Sequence, residues 1–412
     1  MNLTMNQRKQ LFDKIITLVQ TKYYDPSFGG RDWNAIATAN RTQIVDAPDR
    51  AAFEAAVAQM LGQLTNGGHF GLLSPTTKIT ARNSINASFR RVLIGNSTEK
   101  WVFQDVLPGG VAERATIRPG DILIAINGKE LDTTSAPTFP MNAKTAVTID
   151  RAGTHHDFQV DLTTKKPKYR SNPYSEPASV TAKMGPSNIG IMTVSLFPGL
   201  IGIDFANRVS QLFRTALAGA QRLLIDLRGN PGGGIGGLRI MSYLAPMPTP
   251  IGFSVDRKTA DRGYRKETLP RLNRIPHSKW EIPILALKFL NKKSVVLETE
   301  GLGRQPFHGR VGILVNEHST SAAEMLAQFA QENRLGTIIG TKTPGRLVSR
   351  SAFKIGHDYR LVMPIAAYES WNGVRIEGKG IEPNVYADWS FDATLHGEDT
   401  QLNKAIETIR SL

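Results

Sequence analysis

The sequence predicts an α/β chain, and three observations carry that expectation. From Ile189 onward, short apolar runs of strand character alternate with amphipathic runs of helical spacing. Residues 7–70 show helical periodicity instead, with Phe53, Ala56, Val57, Met60, Leu61 and Leu64 on one face. Between these regions, residues 76–163 hold short strand-like runs and the tight-turn pair Asn127-Gly128, the pattern of a small β-rich insert. At 412 residues the chain is too long for one ordinary domain. Four segments are expected: helical 1–75, β-rich 76–163, a linker over 164–186, and α/β from 187 to 412.

In chain order, Asp25-Pro26 and Gly29-Gly30 break the first segment between two helical stretches, and the second stretch stops at Gly67-Gly68 with His69 immediately after. Taken alone, His69 reads as a residue of a capping loop. In the insert, Lys100–Val106 is a strand, Pro108–Ala115 a turn and short helix, and Ile117–Gly128 a strand entering the Asn127-Gly128 hairpin. Residues 164–186 carry Pro, Ser, Lys and Tyr without periodicity, as a linker does. Beyond them, strands are expected at 189–194, 222–227, 311–315 and 336–340, and helices around 203–219, 233–244, 321–333 and 402–410. Residues 246–308, rich in proline and charge with little pattern, read as a long excursion over the cleft.

Two strand ends stand out chemically. Val311–Val315 runs into the polar turn Asn316–Glu324, and Met325–Ala330 leaves it as a helix, so Ser321 lies where a helix begins. Backbone N–H groups there lack intrahelical partners and favour negative charge, which suits a nucleophile with oxyanion donors beside it. A plain N-cap role for Ser319, Thr320 or Ser321 is the competing reading. The other strand end is Leu223–Gly234, a buried-strand run closing on Gly232-Gly233-Gly234, whose unobstructed N–H groups and freedom to adopt positive φ fit the same carbonyl. Gly232, Gly234 and Gly237 also match a dinucleotide-binding spacing, with Asp256 beyond. Asp226 and Arg228 interrupt its strand entry and the proline-rich stretch Ala245–Pro250 breaks its second half, so no cofactor is expected.

Composition narrows the classes. Hydrophobic residues make up 41% of the chain, enough for buried cores. The formal net charge is +14, but Lys and Arg are scattered and form no aromatic-basic platform, which argues against a nucleic-acid partner. The densest cluster, Lys165-Lys166-Pro167-Lys168-Tyr169-Arg170, falls in the linker. There is no cysteine, hence neither a disulfide nor a thiolate metal site. The first ten residues lack the apolar region of a signal peptide, and no apolar run approaches a membrane span. The expectation is therefore no membrane anchor and a cytoplasmic location by default, or a periplasmic one if a leader was removed.

The pair D-L-R-G-N-P-G-G (226–233) and T-S-A-A-E (320–324) resembles the tail-specific, or C-terminal processing, serine peptidases. That family includes the tricorn core protease and the retinoid-binding interphotoreceptor protein. The resemblance covers nearly the whole chain and implies a ClpP/crotonase-like spiral αβ peptidase domain. The run Gly120–Gly128 resembles a PDZ domain, a module that binds extended peptide ends by strand addition. By the same resemblance Ser321 is the nucleophile. The lysine used as base by most bacterial members falls at Arg346, whose guanidinium does not deprotonate, while Lys342 matches the wrong place. The tricorn-like arrangement instead implies His69 as base and Glu377 as its orienter, with the oxyanion held by the N–H of Ala322 and of Gly232 or Gly233. Asn384 stands where the family has Asp, and Gly68 where tricorn-like sites have Ser. The expected function is a serine-type endopeptidase working through an acyl-enzyme on a peptide or protein substrate, with the PDZ-like region recognising peptide. The alternative is an inactive scaffold or apolar-ligand binder on the same fold.

Overall fold

A computed structural model describes residues 3–64, 69–74, 80–81, 85–95, 98–141, 143–163, 178–290, 293–303 and 306–412. The centre is a six-stranded sheet in the order Val180–Met184, Ile189–Val194, Arg222–Asp226, Arg310–Val315, Thr337–Gly340, Val385–Tyr386. The first pair is antiparallel and every later pair parallel. Side chains alternate between two covered faces, which is why these strands read as nearly continuous apolar runs. Leu223, Ile225, Val311, Ile313, Val315 and Ile338 pack with the helices Ile203–Arg214, Gly237–Leu244 and Ala322–Glu332. Leu224, Leu314 and Ile339 face Ala405 and Ile409 of the helix Thr400–Ser411. Parallel neighbours end at the same edge, so Arg222–Asp226 and Arg310–Val315, paired in register Asp226↔Leu314, release their turns side by side.

A second sheet runs Gly71–Leu73, Tyr359–Ser370, Pro250–Asp256, Val295–Glu298, Arg271–Leu272, with Val348–Gly356 also paired to Tyr359–Ser370. It overturns the reading of 246–308 as a patternless excursion, because three of its strands come from there. Ile251, Phe253 and Val255 do alternate at period two. The run is short, is set among prolines, and pairs with a strand far along the chain. The segment expected as linker is corrected similarly at its end: Val180–Met184 is an edge strand with Val180 in the core, while the basic cluster at 165–170 lies outside the described residues.

The N-terminal segment forms three helices, Met5–Lys22, Trp33–Val45 and Arg50–Gly62, where two stretches were expected. The unforeseen break contains Pro48, and Asp49 then caps the third helix through Ala52 N (2.8 Å). These helices share their core with Ile355, Tyr359, Leu361 and Met363 of the second sheet. Gly71–Leu73, immediately after His69, pairs with Tyr359–Ser370. The helical segment is thus built into the peptidase body, and that packing carries His69 to it.

The β-rich insert is an antiparallel sheet in the order Ala87–Ile94, Thr98–Val106, Ile122–Ile126, Lys144–Arg151, Thr154–Asp161. Asn127 (φ 51°) and Gly128 (φ 74°) make the tight turn to Lys129–Glu130, both in the left-handed region such a turn demands. Arg90 fastens the insert to the C-terminal segment through Asp388 (2.6 Å) and over the Trp389 ring (5.8 Å). Among the described residues no helix is long and apolar enough to cross a membrane.

Candidate active site

The turn at Ser321 is held from several sides. Ser319, fully buried, donates to Leu227 O (2.8 Å) and accepts from Asn316 N (3.0 Å), joining the two strand ends. Thr320 N donates to Asn230 O (2.9 Å). Ser321 has φ 58° and ψ −117°, a conformation a non-glycine residue adopts at a cost of about 1–3 kcal/mol. Its N–H donates to Glu324 Oε2 (2.9 Å). Ser321 is also the N-cap of Ala322–Glu332, with Glu324 reaching back to its N–H as in a capping box, but its backbone lies outside the β region that Ncap residues normally adopt.

Gly232 lies directly against the serine. A Cβ there would stand 2.5 Å from Ser321 Cβ and 3.0 Å from Ala322 N, and φ is +89°. Only glycine allows this approach. The Gly232 N–H, however, already donates to Asn230 Oδ1 (2.7 Å), and Asn230 is itself anchored by Nδ2 on Val194 O (2.8 Å). The N–H groups of Gly233 and Ala322 find no acceptor among the described residues. Of the three expected oxyanion donors, these two remain available, while Gly232 contributes closeness.

His69 Nε2 and Glu377 Oε1 lie 2.5 Å apart, although 308 positions separate them in sequence. A carboxylate only accepts, so the proton is assigned to Nε2, which in the neutral ring leaves the lone pair on Nδ1. Glu377 Oε2 accepts from Leu347 N (2.7 Å), and Gly378 N donates to Gly345 O (2.8 Å), so the turn bearing Glu377 is locked to the turn at 343–347. Among the described residues no hydrogen bond joins the His69 ring to Ser321, an interaction that unliganded sites often tighten only with substrate present. Gly68, where tricorn-like sites have Ser, lies outside the described residues.

The lysine alternatives are not at the serine. Arg346 is exposed, and its backbone N–H donates to Glu324 Oε2 (2.8 Å). Lys342 is paired with Glu382 at the surface. Asn384 accepts Ile338 N through Oδ1 (2.8 Å), a strand-edge contact that an amide makes as well as a carboxylate.

Sequence reasoning passed over Glu324. It is fully buried at the foot of the site and accepts four hydrogen bonds: Thr343 Oγ1 (2.7 Å) and Gly345 N (2.6 Å) on Oε1, Ser321 N and Arg346 N on Oε2. Burial pushes this carboxyl above its usual range, against the pull of those four bonds. The Ser321-x-x-Glu324 spacing, that of a capping box, was the available signal. Asn316 and Asp105 were also missed. Asn316 Oδ1 accepts Gly229 N (3.0 Å) and His318 N (3.1 Å), while its Nδ2 donates to Asp105 Oδ2 (2.9 Å) of the β-rich insert. Burial raises the Asp105 carboxyl, opposed by the Arg228 charge and by bonds from Ser88 and Asn316. His318 Nε2 meets Gln104 Oε1 (3.0 Å) across the same seam. No group of three or more His, Asp or Glu among the described residues is disposed to hold a metal.

Residues 188–387 match peptidase family S41, residues 102–136 a PDZ domain, and residues 5–62 the tricorn protease C1 domain. Residues 188–387 are a peptidase family S41 domain. This S41 chain is a serine peptidase carrying a PDZ domain. It is 23% identical to a carboxyl-terminal-processing protease of Synechocystis sp., over 99% of this chain and 88% of that one. It is 24% identical to the chloroplastic carboxyl-terminal-processing peptidase 3 of Arabidopsis thaliana, over 89% of this chain and 66% of that one. The solved photosystem II D1 C-terminal processing protease superposes with a TM-score of 0.58 at 18% identity, covering 96% of this chain and 98% of that one, a likeness of fold.

Proposed function

We propose that this S41 peptidase cleaves peptide bonds near polypeptide C-termini through a Ser321–His69–Glu377 triad. The observation that carries the reading is the His69–Glu377 pair: a carboxylate fixes one tautomer of a histidine brought from the opposite end of the chain to the turns that flank Ser321. In the proposed sequence, Ser321 Oγ attacks the scissile carbonyl while His69 Nδ1 takes the hydroxyl proton. Glu377 stabilises the imidazolium so formed. The oxyanion develops between the N–H groups of Ala322 and Gly233, where the helix dipole of Ala322–Glu332 adds positive potential. His69 then gives its proton to the leaving amine, and the peptide bond breaks to an acyl-enzyme. Water, deprotonated by His69, releases the carboxylic acid and restores the serine. The names of the curated relatives support C-terminal segments as substrates, and the PDZ domain beside the nucleophile turn supports recognition of an extended peptide end.

The direct test is labelling with a fluorophosphonate followed by mass-spectrometric assignment of the adduct. The expected adduct is on Ser321, and it is lost in Ser321→Ala and His69→Ala. An adduct on another residue, or proteolysis surviving in a clean Ser321→Ala preparation, would sink the assignment. Complete absence of labelling would favour the inactive-scaffold reading.

A further inference from the structure

The short helical segment 279–290 is apolar on two opposite sides. On its inner side Ile282, Leu285 and Phe289 pack against the peptidase core. On its outer side Trp280, Ile284, Leu287 and Leu290 follow each other at helical spacing and are 91%, 71%, 73% and 62% exposed. A helix that is apolar all round normally lies buried between two apolar surroundings, and here the protein supplies one of them. Scattered exposed apolar residues need no explanation, but a contiguous face does. Trp280 is the most exposed large apolar side chain among the described residues.

The charges around this face are mostly positive. Between Arg271 and Lys293 the sole acidic residue is Glu281, and it is occupied by Arg274 (2.9 Å) and the N–H groups of His277 and Ser278. Lys279 and Lys288 are exposed on the segment itself, and Lys293 is exposed shortly after it. Lys279 forms an exposed, solvent-screened ion pair with Asp204 (3.6 Å), and Lys288 lies over the Phe289 ring (5.5 Å). A second copy of this chain seated on the face would bring together two patches that both carry lysines, which adds like charge to a two-fold contact. An anionic lipid surface takes both features: tryptophan and aliphatic side chains enter at the headgroup level while lysines reach out to the phosphates.

We infer that segment 279–290 docks this peptidase peripherally on anionic lipid bilayers, through Trp280, Ile284, Leu287 and Leu290 with Lys279, Lys288 and Lys293 around them. Such docking requires no membrane-spanning helix. It leaves the active site untouched, since none of these residues contacts it.

The test is flotation of the full chain with vesicles of equimolar phosphatidylcholine and phosphatidylglycerol, beside vesicles of phosphatidylcholine alone. The expected result is co-flotation with the mixed vesicles, weakened by salt, and a drop of at least about tenfold in binding for Trp280→Ser/Leu287→Ser and for Lys288→Glu/Lys293→Glu. The peptidase activity of both variants stays at the wild-type level, which reports that they are folded. In addition, Trp280→Phe keeps vesicle binding but loses the blue shift of tryptophan emission seen on mixing. The inference is overturned if wild type does not float with the mixed vesicles or if Trp280→Ser/Leu287→Ser floats equally well. It is also overturned if sedimentation velocity shows a wild-type dimer that this variant dissociates while vesicle binding is unchanged, since a second copy then covers the face.

Discussion

Replacing Glu324 by Gln changes one atom at the foot of the site and permits a worked estimate. The amide can turn either way. With its NH2 in the place of Oε2, both Ser321 N–H and Arg346 N–H face a donor. With its NH2 in the place of Oε1, Gly345 N–H is left opposed, and the Thr343 hydroxyl, which already accepts Ile381 N, rotates to accept from the amide and turns its own proton away, so one fixed N–H and one rotatable O–H lose their acceptor instead of two fixed N–H groups. The second orientation is therefore preferred. Each unsatisfied buried donor costs about 1–3 kcal/mol, partly offset because a buried charge is removed, so a loss of roughly 2–4 kcal/mol in stability is expected. Ser321 N–H retains an acceptor but a neutral one, about half as strong, and the unusual φ of Ser321 is held less firmly. We expect Glu324→Gln to lose about tenfold in kcat and Glu324→Ala about a hundredfold, as a slightly misplaced nucleophile does, with KM for a short ester changing less. The pH dependence has a defined sign. The folded carboxyl lies above its ordinary range, so the folded state holds the proton more tightly and stability from this group falls as pH rises upward from that range. Chemical denaturation across pH should show that falling component in wild type and not in Glu324→Gln. The assay is steady-state kinetics on a short ester well below the thermal midpoint. Wild-type kcat in Glu324→Ala, with stability reduced, would refute the claim that Glu324 positions Ser321 and leave it a structural residue.

Other outcomes follow from the same geometry. His69→Ala should lose activity about as fully as Ser321→Ala, and Glu377→Gln less, because triad members act as a unit; near-normal activity in His69→Ala would return attention to a lysine base. Gly232→Ala should abolish fluorophosphonate labelling, since its Cβ would meet Ser321 Cβ at 2.5 Å with φ at +89°; unchanged labelling would mean the turn is plastic. Burial alone would raise the Asp399 carboxyl, but the bonds and charge of Arg228 hold it below the usual range. Its stabilisation is therefore present above the ordinary carboxylate range and lost as pH falls through the lowered value, so Asp399→Asn should flatten the acid limb of stability, measured by denaturant midpoints. Asp105→Ala should lower kcat on short esters as well as on proteins, because it strips Asn316 of its partner under the nucleophile turn; an effect confined to protein substrates would place Asp105 in peptide recognition alone.

That last outcome departs from a view of the insert as a separable recognition module. From sequence, the Gly120–Gly128 run showed a PDZ-like sheet and its Asn127-Gly128 turn, both present. Nothing in that run indicates that Asp105, on the strand Thr98–Val106, is half-buried and bonded to Asn316. The strands Arg222–Asp226 and Arg310–Val315 were legible because burial on both faces makes each an unbroken apolar run. Pro250–Asp256 was not, because its partners are remote and prolines surround it.

The sequence by itself determined what depends on neighbours along the chain. The alternation of strand and helix after Ile189 is of this kind, as are the turn that starts a helix at Ser321 and the glycines that approach it. These are properties of periodicity, backbone freedom and side-chain chemistry, each complete within a dozen residues. Tertiary structure decided which groups meet. It brought His69 to Glu377 by packing the N-terminal helices onto the second sheet. It assigned the Gly232 N–H to Asn230 and left those of Gly233 and Ala322 available. It also set Glu324 and Asp105 beneath the nucleophile turn. Hydrogen bonds between distant segments depend on sheet register and helix docking, and those are fixed by the sum of many contacts that no local stretch of sequence contains.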